Sequence, residues 1–406
     1  MTPRLNVAVL TTAPPRQCGI ATFSGNLCEA IRRADSRVEL SFAAIERPGS
    51  TDQYGKDVRW RVSQGEAGAF RVLAAELNAS NIDVACVEHE FGLYGTWDGV
   101  YTDHLAPFLA MLQRPAVTTL HTVQPEPEPS LLAAVRSIAR ESAAIIVMTE
   151  VARRLLTRVY GVSSDKVTVI AHGVPTMRPG RHADVRRRLG LHDRTVIATF
   201  GLVDPRKGLE YMVEAMRAVT ERHPEALYLV LGKTHPELVA REGERYRAAL
   251  EETIAVNGLE EHVRLVDRYL TEEEIVDYLE ATDVYVTPYL DPNQITSGTL
   301  AYALGAGRAI VSTSYLHASE ALGQRRGLLV GFRSADALAQ AVLEILETPG
   351  LREVLERNSY EAGVKASWPN TARVTALLLR ATTAEARQHD APAAIRVPVM
   401  EGVEPR

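Results

Sequence analysis

The sequence predicts an α/β protein of two domains, each built on a doubly wound parallel β-sheet. Its 406 residues are too many for one ordinary core. Short apolar runs of the kind that form buried parallel strands alternate with helical patterns through both halves of the chain. Around residues 171–181 this periodicity stops and glycines and prolines interrupt the chain, which predicts a linker between the domains.

Composition and charge narrow the functional classes. Apolar residues make up 46% and charged residues 24% of the chain, as in globular proteins. The formal net charge of −6 and the pI near 6.0 argue against nucleic acid as the main partner. Cys18, Cys28 and Cys86 have neither metal-ligand nor disulfide-framework spacing, which favours a reducing, cytoplasmic location. There is no apolar run long enough for a transmembrane helix and no signal-peptide pattern. A peripheral membrane contact and the oligomeric state stay open.

Several apolar runs in the first half predict buried strands. They cover residues 6–12, 38–44, 83–87, 116–120, 144–148 and 167–170. Helical patterns lie between most of them, in a segment ending at Ala34 and at 67–79, 100–112, 130–141 and 150–160. Alternating strands and helices build a doubly wound sheet, in which ligands bind beyond the carboxyl ends of the strands.

Polar residues follow two of these predicted strands. Glu88, His89 and Glu90 come directly after the strand 83–87, and His121 follows the strand 116–120. Carboxylates and imidazoles at such positions can bind substrate hydroxyl groups or transfer protons. A metal site is not predicted, because alternate residues of an extended chain point to opposite faces. A histidine at a strand end can also be purely structural.

The second half repeats the alternation. Predicted strands lie at 195–200, 227–232, 263–266, 283–288 and 309–311, and predicted helices lie at 209–222, 236–257, 334–346 and 351–366. A capped helix begins at Thr271, and a last helix runs from Trp368 to about residue 385. The tail 388–406 is rich in proline, alanine and charge, and we predict that it is disordered.

One helix start in this half is a candidate anion site. The stretch 295–312 predicts a turn, a short helix and a buried strand. Ser297, Gly298 and Thr299 open that helix and present unpaired backbone N–H groups at the positive end of its dipole. The alternative is that Ser297 simply caps the helix and nothing binds there.

A second candidate anion site is the loop 201–208. Arg206 and Lys207 lie there at a strand-to-helix turn, an arrangement that suits a diphosphate. The alternative is a solvated surface pair. Near the N-terminus, Gly19 allows the backbone to approach a ligand at the start of the first helix. No GxGxxG motif is present, so a dinucleotide fingerprint is not supported.

Four segments together resemble a known family. Residues 19–21 (GIA), 169–174 (VIAHGV), 201–208 (GLVDPRKG) and 303–311 (ALGAGRAIV) are similar to its N-terminal glycine loop, IPNGV segment, GRLxxxKG phosphate loop and AMAxGxPVV helix and strand. The chain thus resembles the retaining glycosyltransferases of the glycogen-synthase-like and sucrose-synthase-like superfamily, glycosyl transferases group 1. The resemblance implies the GT-B fold, in which two facing Rossmann-like domains are joined by a C-terminal helix that crosses back to the first.

The implied organisation is an acceptor-side domain at 1–178, a donor-binding domain at 179–366, a crossover helix at 367–387 and the tail at 388–406. The implied donor is a nucleoside-diphosphate sugar, mannose or glucose linked to GDP or UDP. The implied acceptor is a sugar or glycoconjugate. Neither a metal nor another cofactor is expected. The leaving phosphate takes the acceptor's proton on the same face, which retains configuration.

The resemblance also implies residue roles. His121 positions the donor hexose, and Arg206 and Lys207 stabilise the leaving diphosphate, so these three are the predicted catalytic residues. Glu88, His89 and Glu90 are expected to line the acceptor side. The predicted donor-binding residues are Gly19, His172, Asp291, Gln294, Ser297, Gly298, Thr299 and Tyr302, with His172 standing where the family usually has asparagine.

The sequence departs from the family at its pair of acids. Two glutamates separated by seven residues are usual, the first by the donor sugar and the second on the ribose, whereas this chain has Gln294 and Tyr302. Gln294 can still bind sugar hydroxyls and Tyr302 can offer one hydroxyl, but bidentate carboxylate recognition is lost. Asp291 lies upstream and is a candidate replacement acid. Leu202 replaces the arginine of the phosphate loop, and Arg206 is a candidate source of that charge.

Two other functions also fit the sequence. One is a glycoside phosphorylase or sugar epimerase on the same fold, because phosphate and nucleotide sites are alike there. The other is a non-catalytic sugar- or nucleotide-binding homologue that has lost its acids. We favour the transferase because the cationic loop and the phosphate helix are both retained.

Overall fold

The computed structural model describes residues 3–177 and 182–390. The first domain contains β1 (Leu5–Thr11), α1 (Gly19–Ala34), β2 (Val38–Glu46), β3 (Val58–Ser63), α2 (Ala67–Ala79), β4 (Val84–His89), α3 (Phe91–Tyr94), β5 (Gly95–Asp98), β6 (Val100–Asp103), α4 (Leu105–Met111), β7 (Ala116–Leu120), α5 (Pro129–Glu141), β8 (Ala144–Val147), α6 (Glu150–Arg158) and β9 (Val167–Val169). Its main sheet has the order β3-β2-β1-β4-β7-β8-β9, and every pairing is parallel.

Strand β1 shows why the strands of this sheet are nearly continuous apolar runs. Ala8 and Leu10 pack into the core on one face of the sheet, whereas Val7 and Val9 pack into a second core on the other face. Successive side chains of a strand point to opposite faces, so both faces of this sheet are buried under helices.

The second domain continues with α7 (His182–Leu189), β10 (Thr195–Phe200), α8 (Leu209–Arg222), β11 (Ala226–Leu231), α9 (Pro236–Glu242), α10 (Arg245–Val256), β12 (Val263–Val266), α11 (Glu272–Ala281), β13 (Val284–Thr287), α12 (Gly298–Gly305), β14 (Ala309–Thr313), α13 (Leu316–Ala321), β15 (Leu328–Val330), α14 (Ala335–Glu347), α15 (Leu351–Gly363) and α16 (Trp368–Asp390). Its parallel sheet has the order β12-β11-β10-β13-β14-β15. The predicted α/β class, with two doubly wound parallel sheets, is confirmed.

Helix α16 returns to the first domain. Its Arg380 forms an ion pair with Asp35, at the end of α1, with 2.7 Å between Nη2 and Oδ2. The Trp368 amide donates to the carbonyl of Val174 at 2.8 Å, and the Trp368 ring belongs to the core that lies between α1 and the first sheet. The crossover predicted from the resemblance is therefore present.

Some local predictions were wrong. The predicted helix 100–112 begins only at Leu105, because Val100–Asp103 pairs with Gly95–Asp98 in an antiparallel hairpin closed at Gly99. The predicted helix 236–257 is two helices that separate at Gly243 and Glu244. Strand β3 and helices α7 and α13 were not predicted.

The predicted disordered tail also begins too early, because residues 388–390 belong to α16. Residues 178–181 of the predicted linker and the tail from residue 391 lie outside the described residues, and the predicted domain boundaries remain predictions. In the part of the chain that the structure describes, no helix is long and apolar enough to cross a membrane.

Candidate active site

The first cluster of site residues lies where β4 and β7 end side by side. His121 Nε2 is 2.8 Å from Glu88 Oε2, and the Thr119 hydroxyl donates to the other carboxylate oxygen at 3.3 Å. Glu88 is fully buried, and His121 is 8% exposed. Glu88 therefore orients His121 through this hydrogen bond. Its buried side chain cannot contact an acceptor, contrary to the prediction that it lines the acceptor side.

His89 and Glu90 also differ from the predicted acceptor surface. His89 is fully buried, stacks on Tyr94 with ring centroids 5.5 Å apart, and has no hydrogen-bond partner on either ring nitrogen. Burial lowers the pKa of His89 to about 3, so the ring is neutral. Glu90 is half-buried and accepts from the Thr122 hydroxyl at 2.7 Å, which ties the two strand ends together. Only Glu90 keeps a partly exposed side chain.

His172 links the first cluster to α12. The ring of Phe23, from α1, packs edge-on against both His121 and His172, with centroids 5.1 and 5.0 Å away. The Nδ1 atom of His172 bonds to the Gly173 carbonyl at 2.8 Å. Its Nε2 faces Gly298, where a Cβ would come within 2.8 Å of it, so only glycine fits at this helix start. Burial lowers the pKa of His172 to about 4.

The N-terminus of α12 leaves two amides available. The Ser297 hydroxyl accepts from the Leu300 amide at 3.3 Å, which is a normal N-cap. The backbone amide of Ser297 donates to His317 Nδ1 at 2.8 Å. The amides of Gly298 and Thr299 donate to no group among the described residues. Capping and an anion site thus coexist, because the cap uses only one of the first amides.

Lys207 brings a positive charge to the same place. A Cβ on Gly201, whose φ is +113°, would lie 2.5 Å from the Lys207 ammonium and 3.2 Å from the Thr299 methyl group. The ammonium group also lies 5.7 Å from the centre of the Tyr289 ring. Burial lowers the pKa of Lys207 from 10.5 to about 8. The loop 201–208 and the start of α12 therefore converge on one site.

Arg206 is not free in this structure. Its guanidinium makes two hydrogen bonds to Asp204, at 2.9 and 3.0 Å, and its side chain is 76% exposed. Asp204 is the residue that caps the short 3-10 turn before α8, and the pair lowers the pKa of that carboxyl although burial opposes it. Arg206 reaches a diphosphate only by exchanging this partner.

The residues predicted to replace the missing acids take local roles. Gln294 Nε2 donates to the Thr296 carbonyl at 3.2 Å. Asp291 is exposed and accepts from the Asn293 amide at 2.9 Å, which is an Asx turn. Gly19, at the start of α1, has open space where its Cβ would be, so the fold itself does not require glycine there.

Tyr302 takes part in a contact between the domains that the sequence did not reveal. Its hydroxyl donates to Glu272 Oε2 at 2.8 Å and lies 3.2 Å from the amide nitrogen of Asn26. Asn26, from α1, also donates to the same carboxylate oxygen of Glu272, from α11. A carboxylate is therefore present beside position 302, but a different helix supplies it.

Two further residues of the site were missed. His317, in α13, supports the start of α12 as described, and burial lowers its pKa to about 4. Tyr269 bonds to Thr22 of α1 across the domains at 2.8 Å. No local pattern marks these residues, because each acquires its role through a partner far away in the sequence. Among residues 3–177 and 182–390, no group of three His, Cys, Asp or Glu side chains is placed to hold a metal ion.

Comparison with known proteins matches both halves of the chain to family models. Residues 19–178 match Glycosyltransferase Family 4, and residues 194–348 match Glycosyl transferases group 1. A D-inositol 3-phosphate glycosyltransferase of Kribbella flavida is 25% identical over 294 residues, which is 66% of this chain and 66% of that protein. An alpha-D-kanosaminyltransferase of Streptomyces kanamyceticus is 23% identical over 230 residues, 55% of this chain and 56% of that protein. The alignments thus leave a third or more of each relative unmatched.

Solved structures share the fold over nearly the whole chain. Anabaena HepE in complex with UDP and glucose has a TM-score of 0.70 at 16% identity and covers 93% of this chain and 100% of that one. The sucrose-phosphate synthase of Thermosynechococcus elongatus has a TM-score of 0.72 at 19% identity and covers 94% and 100%. A glycosyltransferase of Rickettsia africae has a TM-score of 0.70 at 14% identity and covers 93% and 98%. At these identities the likeness establishes the fold.

Proposed function

Because this chain belongs to the GT-B glycosyltransferases, with group 1 and family 4 domains, we propose that it is a retaining hexosyltransferase. It moves a hexose, mannose or glucose, from a GDP- or UDP-linked donor to a sugar or glycoconjugate acceptor. The solved structure of Anabaena HepE, which shares the fold, holds UDP and glucose, and this supports the donor class. We place the reaction in the cytoplasm, in keeping with the three free cysteines.

One observation carries this proposal, the convergence of Lys207 with the start of α12. The ammonium group of Lys207 and the methyl group of Thr299 both lie beside Gly201, just after β10, and the amides of Gly298 and Thr299 have no partner among the described residues. An ammonium group and helix N-terminal amides are what a diphosphate requires. The site is therefore suited to hold the diphosphate of the donor and to stabilise it as a leaving group.

The chemistry follows from charge stabilisation. When the bond between the sugar and the phosphate breaks, negative charge grows on the leaving phosphate oxygen beside Lys207. Each well-placed donor in such a preorganised site lowers the barrier by roughly 3–4 kcal/mol. The same phosphate oxygen accepts the proton of the attacking acceptor hydroxyl, so attack occurs on the face that the leaving group occupied. These groups supply positive charge without a metal ion, and His121 orients the hexose.

The experiment compares three proteins with a panel of pure nucleotide sugars and acceptors. Lys207→Ala should lower turnover by about 100-fold or more, whereas Lys365→Ala, an exposed lysine outside the site, should not change it. Turnover by the wild type should persist in the presence of a chelator. If Lys207→Ala turns over the donor as fast as the wild type, the assignment of the phosphate site is wrong.

Two further measurements separate the transferase from a phosphorylase and from a non-catalytic binding protein. Release of a sugar 1-phosphate from a glycoside and inorganic phosphate, without a nucleotide donor, reports a phosphorylase. Nucleotide binding without turnover of any donor, with or without acceptor, reports a binding protein. Product anomers measured by NMR during the first turnovers decide between retention and inversion.

A further inference from the structure

Three histidines from separate parts of the chain meet at the start of α12. His121 ends β7, His172 lies in the segment after β9, and His317 lies in α13. Phe23 packs against the first two rings. The His172 ring faces Gly298, and the His317 ring accepts a hydrogen bond from the amide of Ser297. The three rings are therefore connected to the start of α12, where Thr299 lies with Lys207 beside Gly201.

The hydrogen-bond partner of His317 fixes where its proton lies. Its Nδ1 is 2.8 Å from the backbone nitrogen of Ser297, a group that can only donate. A neutral imidazole that accepts at Nδ1 carries its hydrogen at Nε2. That Nε2 has no partner among the described residues, and it is not one of the atoms sealed from solvent. His317 therefore keeps a single N–H donor, at Nε2, that is free for a further partner.

The other two histidines present acceptors instead. His172 Nδ1 faces the Gly173 carbonyl, which can only accept, so its hydrogen lies on Nδ1 and its Nε2 accepts. His121 Nε2 faces the carboxylate of Glu88, so Nε2 carries a hydrogen, and Nδ1 of the neutral ring accepts. Burial holds the pKa of His172 and of His317 at about 4, so these two rings are neutral near pH 7.

We infer that His317 binds the transferred sugar, with its Nε2–H donating to a sugar oxygen while His121 and His172 accept from sugar hydroxyl groups. The inference rests on the proposed function. A hydroxyl group both donates and accepts, so one donor beside two acceptors fits a neutral hexosyl group. The His317 amide also bonds to the carbonyl of Gln294 at 3.1 Å. His317 is thus built onto the segment that lacks the family's acid and supplies a polar contact in its place.

A purely structural role for His317 predicts a different outcome, and two substitutions separate them. In His317→Asn the side-chain oxygen takes the place of Nδ1 and keeps the bond to Ser297, but the donor at Nε2 is lost. In His317→Gln the amide nitrogen takes the place of Nε2, but the bond to Ser297 is lost. A residue that only supports α12 tolerates the first change better, whereas a sugar-binding residue tolerates the second better.

The measurement compares binding of nucleoside diphosphates and of intact nucleotide sugars by isothermal titration calorimetry, together with turnover. For His317→Asn we expect affinity for UDP and GDP within about twofold of the wild type. We expect its affinity for the nucleotide sugar, or its turnover, to fall about tenfold, as for loss of one hydrogen bond. His317→Gln should recover part of that loss even though its thermal unfolding temperature is lower.

Three results would overturn the inference. If His317→Asn binds and turns over the nucleotide sugar like the wild type, the ring serves only α12. If the affinity of His317→Asn for the nucleoside diphosphate falls as much as its affinity for the nucleotide sugar, Nε2 contacts the phosphate and not the sugar. If the wild type binds no nucleoside diphosphate at all, the proposed function fails and the inference fails with it.

Discussion

Raising the pH through 8 should weaken binding of nucleoside diphosphates, because Lys207 loses its charge. Burial lowers the pKa of this lysine from 10.5 to about 8. Only the protonated ammonium attracts the diphosphate, so affinity is present below pH 8 and is lost as the pH rises above it. An ordinary exposed lysine would keep its charge over this whole range.

The magnitude follows from that pKa. With a pKa of about 8, roughly nine in ten molecules are protonated at pH 7 and roughly one in ten at pH 9. If the neutral form does not bind, affinity falls about tenfold between these values, or about 1.4 kcal/mol. The last phosphate pKa lies near 6, so the charge of the diphosphate changes little above pH 7.

The assay is calorimetric titration of UDP and of GDP from pH 7 to 9.5 at constant ionic strength. Lys207→Arg is the matched control, because a guanidinium stays charged throughout. The wild type should show a break near pH 8 with a slope approaching tenfold per pH unit, and the arginine variant should show none. A wild-type affinity that does not change with pH, or an equal break in Lys207→Arg, would refute the assignment.

Two other predictions concern stability. Tyr302→Glu restores the family's acid but sets it against Glu272, 2.8 Å from the present hydroxyl. It should lower the free energy of unfolding by about 3–5 kcal/mol in urea denaturation, because the buried ring is lost as well, and adding Glu272→Gln should recover about 1–2 kcal/mol of that; a double variant no more stable than the single variant contradicts the contact. His89→Leu removes two buried ring nitrogens without partners and should stabilise the protein by about 1–3 kcal/mol at pH 7. Because the pKa of His89 is depressed to about 3, the wild type loses stability as the pH falls below about 6.5. The difference in the free energy of unfolding between His89→Leu and the wild type should therefore grow by roughly 2 kcal/mol from pH 7 to pH 5. A stability difference between the two proteins that does not change with pH argues against a neutral, buried ring.

Local sequence patterns predicted most of the two sheets, because a strand buried on both faces is a continuous apolar run. Strand β7 and strand β10 have the predicted bounds, since both faces of a parallel sheet demand apolar side chains. The edge strand β3 was missed because only one of its six residues is buried and its sequence, VRWRVS, is only partly apolar. Exposure at the edge of the sheet removes the signal.

The hairpin β5–β6 has a recognisable local sequence pattern. Asp98-Gly99 between two short runs of β-formers is a strong hairpin pattern, and the turn is found there. The run after Gly99 includes leucines at helical spacing, and that periodicity extended the predicted helix too far toward its N-terminus. Turn chemistry outweighed periodicity at this position.

The sequence by itself determined the two doubly wound sheets, the cationic loop of Lys207 and the glycine start of α12. Each of these depends on neighbouring residues, so a local pattern can encode it. Only the tertiary structure decided that Glu88 bonds to His121, that Glu272 bonds to Tyr302, and that His317 supports the start of α12. These roles arise from partners on other segments, whose distance and burial no local pattern contains. The sequence also shows Gln294 before α12 and Tyr302 within it, where the family that the chain resembles has acids. What stands beside the site instead, a carboxylate from α11 and an imidazole from α13, follows from how the helices pack.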